Sequence, residues 1–285
     1  MKQLAFAILA ILCLQTTYAQ SDTIPPNQPD TIKVGNFIII KKDKKAVEEN
    51  GSTNINISIN PGDKTYYKKK HSTISTNWLI LDLGFANLRD KTEYGSVAAN
   101  NYLHANGGAP FTKDDLKLNT GKSSNVNLWF FMQKLNLTHQ VVNLKYGLGL
   151  EMYNYRYDNN ISYNKYPAYI FRDSVDFSKN KLYVGYITVP LMININATPG
   201  KRNGFSFSAG VSAGYRIGSK NKQVSDERGK QKIRGDFDLN PWRFAYVAEM
   251  GIGPVRIYGS YSINALHQEG LVQYPYVFGL RLSNW

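Results

Sequence analysis

The chain predicts an all-β fold: a closed antiparallel up-and-down transmembrane β-barrel of eight strands. Three observations carry this. The first is alternation. Between residues 205 and 218, Phe205, Phe207, Ala209, Val211, Ala213, Tyr215 and Ile217 share one face, while Ser206, Ser208, Gly210, Ser212, Gly214, Arg216 and Gly218 share the other. Strict period two marks a strand with one apolar and one polar face, and this run is longer than the roughly 9–11 tilted residues needed to cross a bilayer. The second is that long and short connections between such strands alternate. The third is the N-terminus, where Lys2 precedes the apolar run 4–14 and then Thr17-Tyr18-Ala19. That is a basic, apolar and small-residue series, read as a secretory signal peptide over 1–19 that is cut before Gln20.

Composition agrees with this reading. The chain has 285 residues, a formal net charge of +13 and a mean hydropathy of -0.38. Past the N-terminus it has no apolar run long enough for a membrane helix. The 20 Tyr, 13 Phe, 4 Trp and 23 Gly suit aromatic girdles around a crowded bore. Cys13 is the only cysteine and lies in the apolar core of the signal, with Leu12 where a lipoprotein signal wants a small residue. The mature chain then has no thiol or disulfide chemistry.

Residues 20–77 read as a separate, partly disordered periplasmic extension. It opens on the Pro-rich polar stretch SDTIPPNQPD. The apolar core 37–40 is expected to pair with 54–59. Tyr66-Tyr67-Lys68-Lys69-Lys70-His71 reads equally as a headgroup-facing cluster or a solvated linker.

The barrel is expected over 78–285. Strand 78–86 sets Leu79, Leu81, Leu83 and Phe85 against Asp82 and Gly84. Strand 125–133 is apolar on both faces, with Val126, Leu128, Phe130 and Met132 assigned outward. Strand 142–155 alternates cleanly, with Lys145, Gly147, Gly149 and Glu151 on its polar side. Strands 182–196 and 205–218 form a pair around the turn ATPGKRNG, with Pro190 inside the first; a proline cannot donate to the ladder, so a β-bulge or local break is expected there. Strands 242–252, 255–262 and 276–284 complete the set. The connections 87–124, 156–180 and 219–241 are long, and those between are short or tight. All long loops therefore lie at one end, as in outer-membrane barrels; a Greek-key sandwich has no reason to show this.

A soluble barrel would turn its apolar side chains inward, whereas a membrane barrel reverses the order. The polar face is rich in Gly and Ser, suited to a narrow bore, and carries isolated charges. Asp82, Glu151 and Glu249 stand against Lys145, Arg216, Arg243, Arg256 and Arg281. These eight are expected to face the lumen and to pair as a plug. The other reading is a selectivity path.

Ser178-Lys179-Asn180-Lys181-Leu182, Tyr186-Ile187-Thr188-Val189-Pro190-Leu191 and Ala209-Gly210-Val211-Ser212-Ala213-Gly214-Tyr215 resemble the central blocks of the PorT-like outer-membrane β-barrel domain of Bacteroidota. Tyr261-Ser262-Ile263-Asn264-Ala265-Leu266 and Phe278-Gly279-Leu280-Arg281-Leu282 are similar to its last strands. The resemblance runs from about Trp78 onward. It implies a cell outer-membrane location and no assigned activity for most members. The secretion role of the name-giving member is attached to none of the matched residues. One departure is that Trp285 falls out of phase with Leu280 and Leu282.

Catalytic, metal and cofactor signatures are lacking. His71, His104, His139 and His267 are scattered, without zinc or nucleophile-elbow spacing. His104 with Ser96 or Asp114 in the first long loop is better read as a solvated loop histidine. The basic stretch 220–234 could touch lipopolysaccharide phosphates or another polyanion, though Asp226, Glu227, Asp236 and Asp238 are expected to blunt its field. The expected partners are outer-membrane lipid and lipopolysaccharide, together with envelope proteins met by the long loops or the extension, but not nucleic acid. Two functions follow: a non-enzymatic surface barrel, or a component of an envelope transport or secretion assembly.

Overall fold

The computed structural model describes residues 30–34, 37–41, 73–106, 108–199, 204–253 and 255–283. The stretch 1–19 expected as a signal peptide, Cys13 within it, the segment 54–59, the cluster 66–71 and Trp285 lie outside these. The chain divides into two units, Met1–Lys69 and Lys70–Trp285. In the first, β1 (Asp30–Val34) pairs antiparallel with β2 (Phe37–Lys41). The described partner of β2 is the segment just before it, across a two-residue connection that costs little closure entropy; the expected pairing with 54–59 lies outside the described residues.

The second unit is built from long strands: β3 (Ile74–Asp90), β5 (Ser124–Thr138), β6 (Val142–Arg156), β9 (Lys179–Asn196), β10 (Phe205–Ser225), β12 (Trp242–Ile252), β13 (Val255–Ser262) and β14 (Gln273–Leu282). Each pairs antiparallel with the next, and β14 pairs back onto β3 from Gln273↔Asp90 to Leu282↔Leu81. The eight strands therefore close into an up-and-down ring with no free edge.

Alternation sets the two surfaces. Phe85, Val189, Val211, Phe244 and Phe278 are exposed on the outside, whereas Asp82, Glu151, Ser212 and Arg243 are buried inside. Burying charge and exposing apolar surface is unfavourable in water and favourable in lipid. Aromatic pairs mark both ends of the outer band: Trp78 with Phe131 on the short-turn side (5.9 Å), and Tyr215 with Trp242 on the long-loop side (5.0 Å).

Three local irregularities revise the expected strands. Leu79 has φ 53°, and both it and Trp78 face outward, so Ile80 turns inward. Opposite them the β5–β6 register shifts between Trp129 and Phe131. Met132, assigned outward from the sequence, is therefore fully buried. Two apolar-looking faces on β5 were the trace of one extra residue, which reverses strand phase. At Pro190 the ladder to β10 runs through as Ser212↔Pro190, while pairing to β6 lapses between Tyr146↔Leu191 and Gly149↔Thr188 without a change of register. There is a one-sided break and no bulge.

The third concerns 219–234, expected as loop. β10 runs to Ser225 and forms a hairpin with β11 (Gly229–Arg234). Its residues alternate polar with basic rather than apolar with polar, so the apolar period ends where the strand does not.

The remaining long connections pack into a cap on the loop side. The first holds α1 (Val97–Tyr102), β4 (Leu103–His104) and a 3-10 turn (Lys113–Leu116), and the second holds β7 (Ile161–Asn164) and β8 (Tyr169–Arg172). β4, β8 and β7 form a small sheet. Tyr102, Phe111, Tyr163, Ile170, Phe237 and Leu266 share one buried core with the upper barrel residues Tyr153 and Tyr155. Arg172 clamps it by donating to both carboxylate oxygens of Asp115 (2.9 Å each) and to the carbonyls of Ala109 and Pro110.

Two cap groups make this module acid-sensitive. Burial opposes ionisation of Asp115, but hydrogen bonds from Arg172 and Thr112 outweigh it and hold the carboxyl below its ordinary 3.8. His267 is buried against the Tyr102 ring at 5.4 Å, and burial pushes its imidazole down from 6.5 to about 3, with Asp90 opposing. Both folded values are depressed, so the unfolded cap binds more protons and stability falls with pH: first between 6.5 and 3 through His267, then below 3.8 through Asp115. Protease protection of the loops is expected to decline steadily from pH 7 to 4, and H267L should flatten that decline. Protection that stays constant in the wild type, or an unchanged slope in the variant, would refute this account.

Candidate functional site in the barrel interior

Cross-strand register brings most of the interior charges into one row. Directly opposed residues on antiparallel strands share a face, and the row reads Arg256, Arg281, Asp82, Asn127, Glu151, Tyr186, Arg216 across seven strands. Strands in a barrel are tilted, so such a row climbs along the axis. It starts near the short turns with Arg256 and reaches the loop-side mouth with Arg216.

Glu249 is the centre of the lower part. Its carboxylate accepts from Lys145 Nζ at 2.5 Å, from Arg256 Nη1 at 3.2 Å and from Arg281 Nη1. Arg281 also grips Asp82 through Nε and Nη2, both at 2.7 Å. Asp82 accepts further from Trp129 Nε1 (2.7 Å) and Asn127 Nδ2 (3.2 Å). Asn125 donates to Asn127 Oδ1 at 2.8 Å and accepts from the Tyr258 hydroxyl at 2.6 Å.

Higher up, Arg243 pairs with Glu151 Oε2 at 2.8 Å and lies 5.0 Å from the Tyr153 ring centre. Thr188 and Tyr153 donate to the same carboxylate oxygen, and Ser260 accepts from Arg243. Asp82, Lys145, Glu151, Arg243, Glu249, Arg256 and Arg281 are each at most 5% exposed. Arg216 stands apart: its guanidinium reaches Asp236, which is 83% exposed, together with Ser219 and the Leu239 carbonyl. It joins the cap to the barrel mouth rather than joining the interior network.

Apolar side chains fill what the charges leave. Ile80, Trp129, Met132 and Met192 form a separate buried cluster with Val247 against it. Gly84 and Gly279 are required where Tyr258 crosses the bore, since a Cβ on Gly279 would stand 2.7 Å from the ring and 2.3 Å from the Leu83 carbonyl. A void of about 20 Å³ lies among Asn127, Glu151, Glu249 and Arg281. That is room for about one water.

Sequence reasoning missed the neutral members of this network. Alternation puts Trp129 on the face of Asn127 and Tyr258 on the face of Arg256, but nothing in the sequence marks their hydrogen bonds to Asp82 and Asn125. The loop residues weighed for chemistry are engaged locally. The Ser96 hydroxyl caps α1 by accepting from the Ala99 N–H, and His104 stacks on Tyr169 at 4.1 Å. The Asp114 carbonyl accepts from Asn159. Among the described residues no hydrogen bond joins His104 to Ser96 or Asp114.

A family model described as outer membrane protein beta-barrel domain matches residues 88–269. A search of curated proteins returns no match. Among solved structures, the chain is similar to the crystal structure of Ail, the attachment invasion locus protein of Yersinia pestis. The identity is 12% and the TM-score 0.29, over 73% of this chain and 98% of that one. At that score the likeness adds nothing to the fold described above.

E249Q removes the carboxylate that three buried cations share. Breaking a buried pair in this way costs about 3–5 kcal/mol, to be read from denaturant unfolding of the barrel in detergent micelles. Adding K145M should recover part of it, because one cation then leaves with its partner. A loss below about 1 kcal/mol for E249Q would show that the network is not what holds the bore.

Proposed function

The chain belongs to the outer membrane protein beta-barrel domain family, and from that premise we propose that it is a non-enzymatic surface barrel with a closed bore. Its long loops would form an extracellular module for partner binding or envelope stabilisation. The outer-membrane location follows from the family. The observation that carries the proposal is the interior itself. Three carboxylates and four cations are buried and cross-linked, and the void between them has room for about one water. A selectivity path needs a continuous wet route with sites that bind weakly enough to release an ion. The cap supports the other half, because a shared apolar core gives the loops a fixed surface.

Planar-bilayer recordings on the purified, refolded chain test the closed bore. The expected result is a silent membrane at all applied voltages, and steady unitary currents would overturn it.

A second reading is supported by the separate unit Met1–Lys69 with its β1–β2 hairpin. In it the chain is a component of an envelope transport or secretion assembly, docking through a periplasmic extension over 20–77. Crosslinked pull-downs from envelopes carrying the full chain or a version lacking 20–77 address this. Loss of specific envelope partners on deletion is expected, and an unchanged partner set would remove the reading.

A further inference from the structure

The outer face changes character where β9 and β10 leave the apolar band. Along β9 the outward residues Ile195, Ile193, Leu191, Val189 and Ile187 are apolar; beyond them come Tyr183, Lys181 and Lys179. On β10 the register against β9 shifts between Arg216 and Gly218. Before that bulge the even-numbered residues point inward; after it Ser219, Asn221, Gln223 and Ser225 are the buried ones. The extra residue, Ile217, therefore turns Lys220 and Lys222 outward. Without it both would point into the bore.

Once outward, these lysines line up with others. Arg156, Lys181, Lys222 and Lys232 are direct cross-strand partners on β6, β9, β10 and β11. One step nearer the membrane, Lys220 is opposed by Arg234 and stands 4.4 Å over the Tyr183 ring. Like charges directly opposed across strands destabilise a sheet, and here four strands carry them in register. Lys181 donates to Asn154 and Arg156 to the Ser178 carbonyl. Among the described residues no carboxylate lies within ion-pair distance of this row.

The acidic residues expected to blunt the field are placed elsewhere. Asp236 pairs with Arg216, Asp238 accepts from the Glu269 backbone, and Asp226 and Glu227 sit in the hairpin turn beyond β10.

We propose that this four-strand basic face binds the phosphate groups of outer-leaflet glycolipid, the lipopolysaccharide surrounding the barrel. Three features favour lipid over a soluble polyanion. The face is on the lipid side of the wall and continuous with the apolar band. At roughly 3.3 Å per residue along a tilted strand, Lys220 and Lys222 lie within or just above the headgroup layer. The hairpin tip, which a soluble polyanion would meet first, carries Asp226 and Glu227. The inference rests on the outer-membrane location and on the long loops being extracellular, and is independent of whether the bore conducts.

The test uses the full chain, delipidated in detergent and reconstituted in phosphatidylcholine vesicles with lipopolysaccharide or with the same glycolipid stripped of phosphate. Bound glycolipid per barrel is read by native mass spectrometry after detergent competition. The variant is K181Q/K222Q/K232Q and the control is K113Q/K117Q/K122Q in the first long loop. Retention by the variant should fall roughly 10- to 100-fold, as expected of three basic residues at an anionic surface, and the control should match wild type. Wild type should retain the dephosphorylated glycolipid as weakly as the variant retains the intact one. Without glycolipid the variant should melt at a higher temperature than wild type, because its cross-strand repulsion is gone. If the triple variant fails the heat-dependent gel shift that reports a folded barrel, K222Q alone carries the same comparison. Equal retention by variant and wild type overturns the proposal. So does loss of heparin binding with glycolipid retention intact, which would reassign the face to a soluble polyanion.

Discussion

The contact on which the interior depends is Glu249 with its three cations. Its partners come from three other strands: Lys145 on β6, Arg256 on β13 and Arg281 on β14. Arg256 and Arg281 face each other directly across the β13–β14 ladder, a juxtaposition that is unfavourable without a shared counter-charge. Arg281 then reaches across the seam to Asp82 on β3, where the last strand meets the first. One carboxylate thus ties the closing seam to the far wall. Ladder hydrogen bonds alone do not choose among registers, whereas a slip of β14 by one residue would turn Arg281 to lipid and leave Asp82 and Glu249 without it.

This network is not primarily a source of stability. Moving charges out of water costs several kcal/mol per ion, and apolar packing of the same volume is often as good or better. A membrane barrel has less freedom in that choice. Its apolar side chains are already committed to lipid on the outside, and alternation then makes the inner face polar by default. Eight strands leave a bore only as wide as side chains can fill. The polar face must therefore satisfy itself, which it does with paired charges, the amides Asn125 and Asn127, and the donors of Trp129 and Tyr258. Gly84 and Gly279 give the Tyr258 ring its place.

What could be read in advance follows from the same rule. β12 and β13 occupy the ranges expected of them because nothing interrupts their alternation between the loop and the tight turn. β5 was ambiguous because Phe130 reverses its phase, and a bulge leaves no mark in composition. Arg216 shares a face with the interior charges in sequence, yet strand tilt carries it up to the mouth, and tilt is a property of the closed ring rather than of one strand. The cap was the least legible part. Its core joins Tyr102, Tyr163, Phe237 and Leu266 from four separate connections, and contacts between aperiodic segments have no local signature.

The bulges also divide labour along a strand. Below Ile217, β10 is small and polar inside and apolar outside, as a lipid-embedded wall must be. Above it the inner face is still polar, with Asn221 donating to Asn180 on β9 and Gln223 to Ser162 of the cap, but the outer face is basic. A single inserted residue lets one continuous strand obey lipid over one length and water over the next, without spending a loop on the transition. It also decouples the two. Outward residues above the bulge make no contact with the Glu249 network, so their charge is constrained by the surface they meet and not by the fold that carries them.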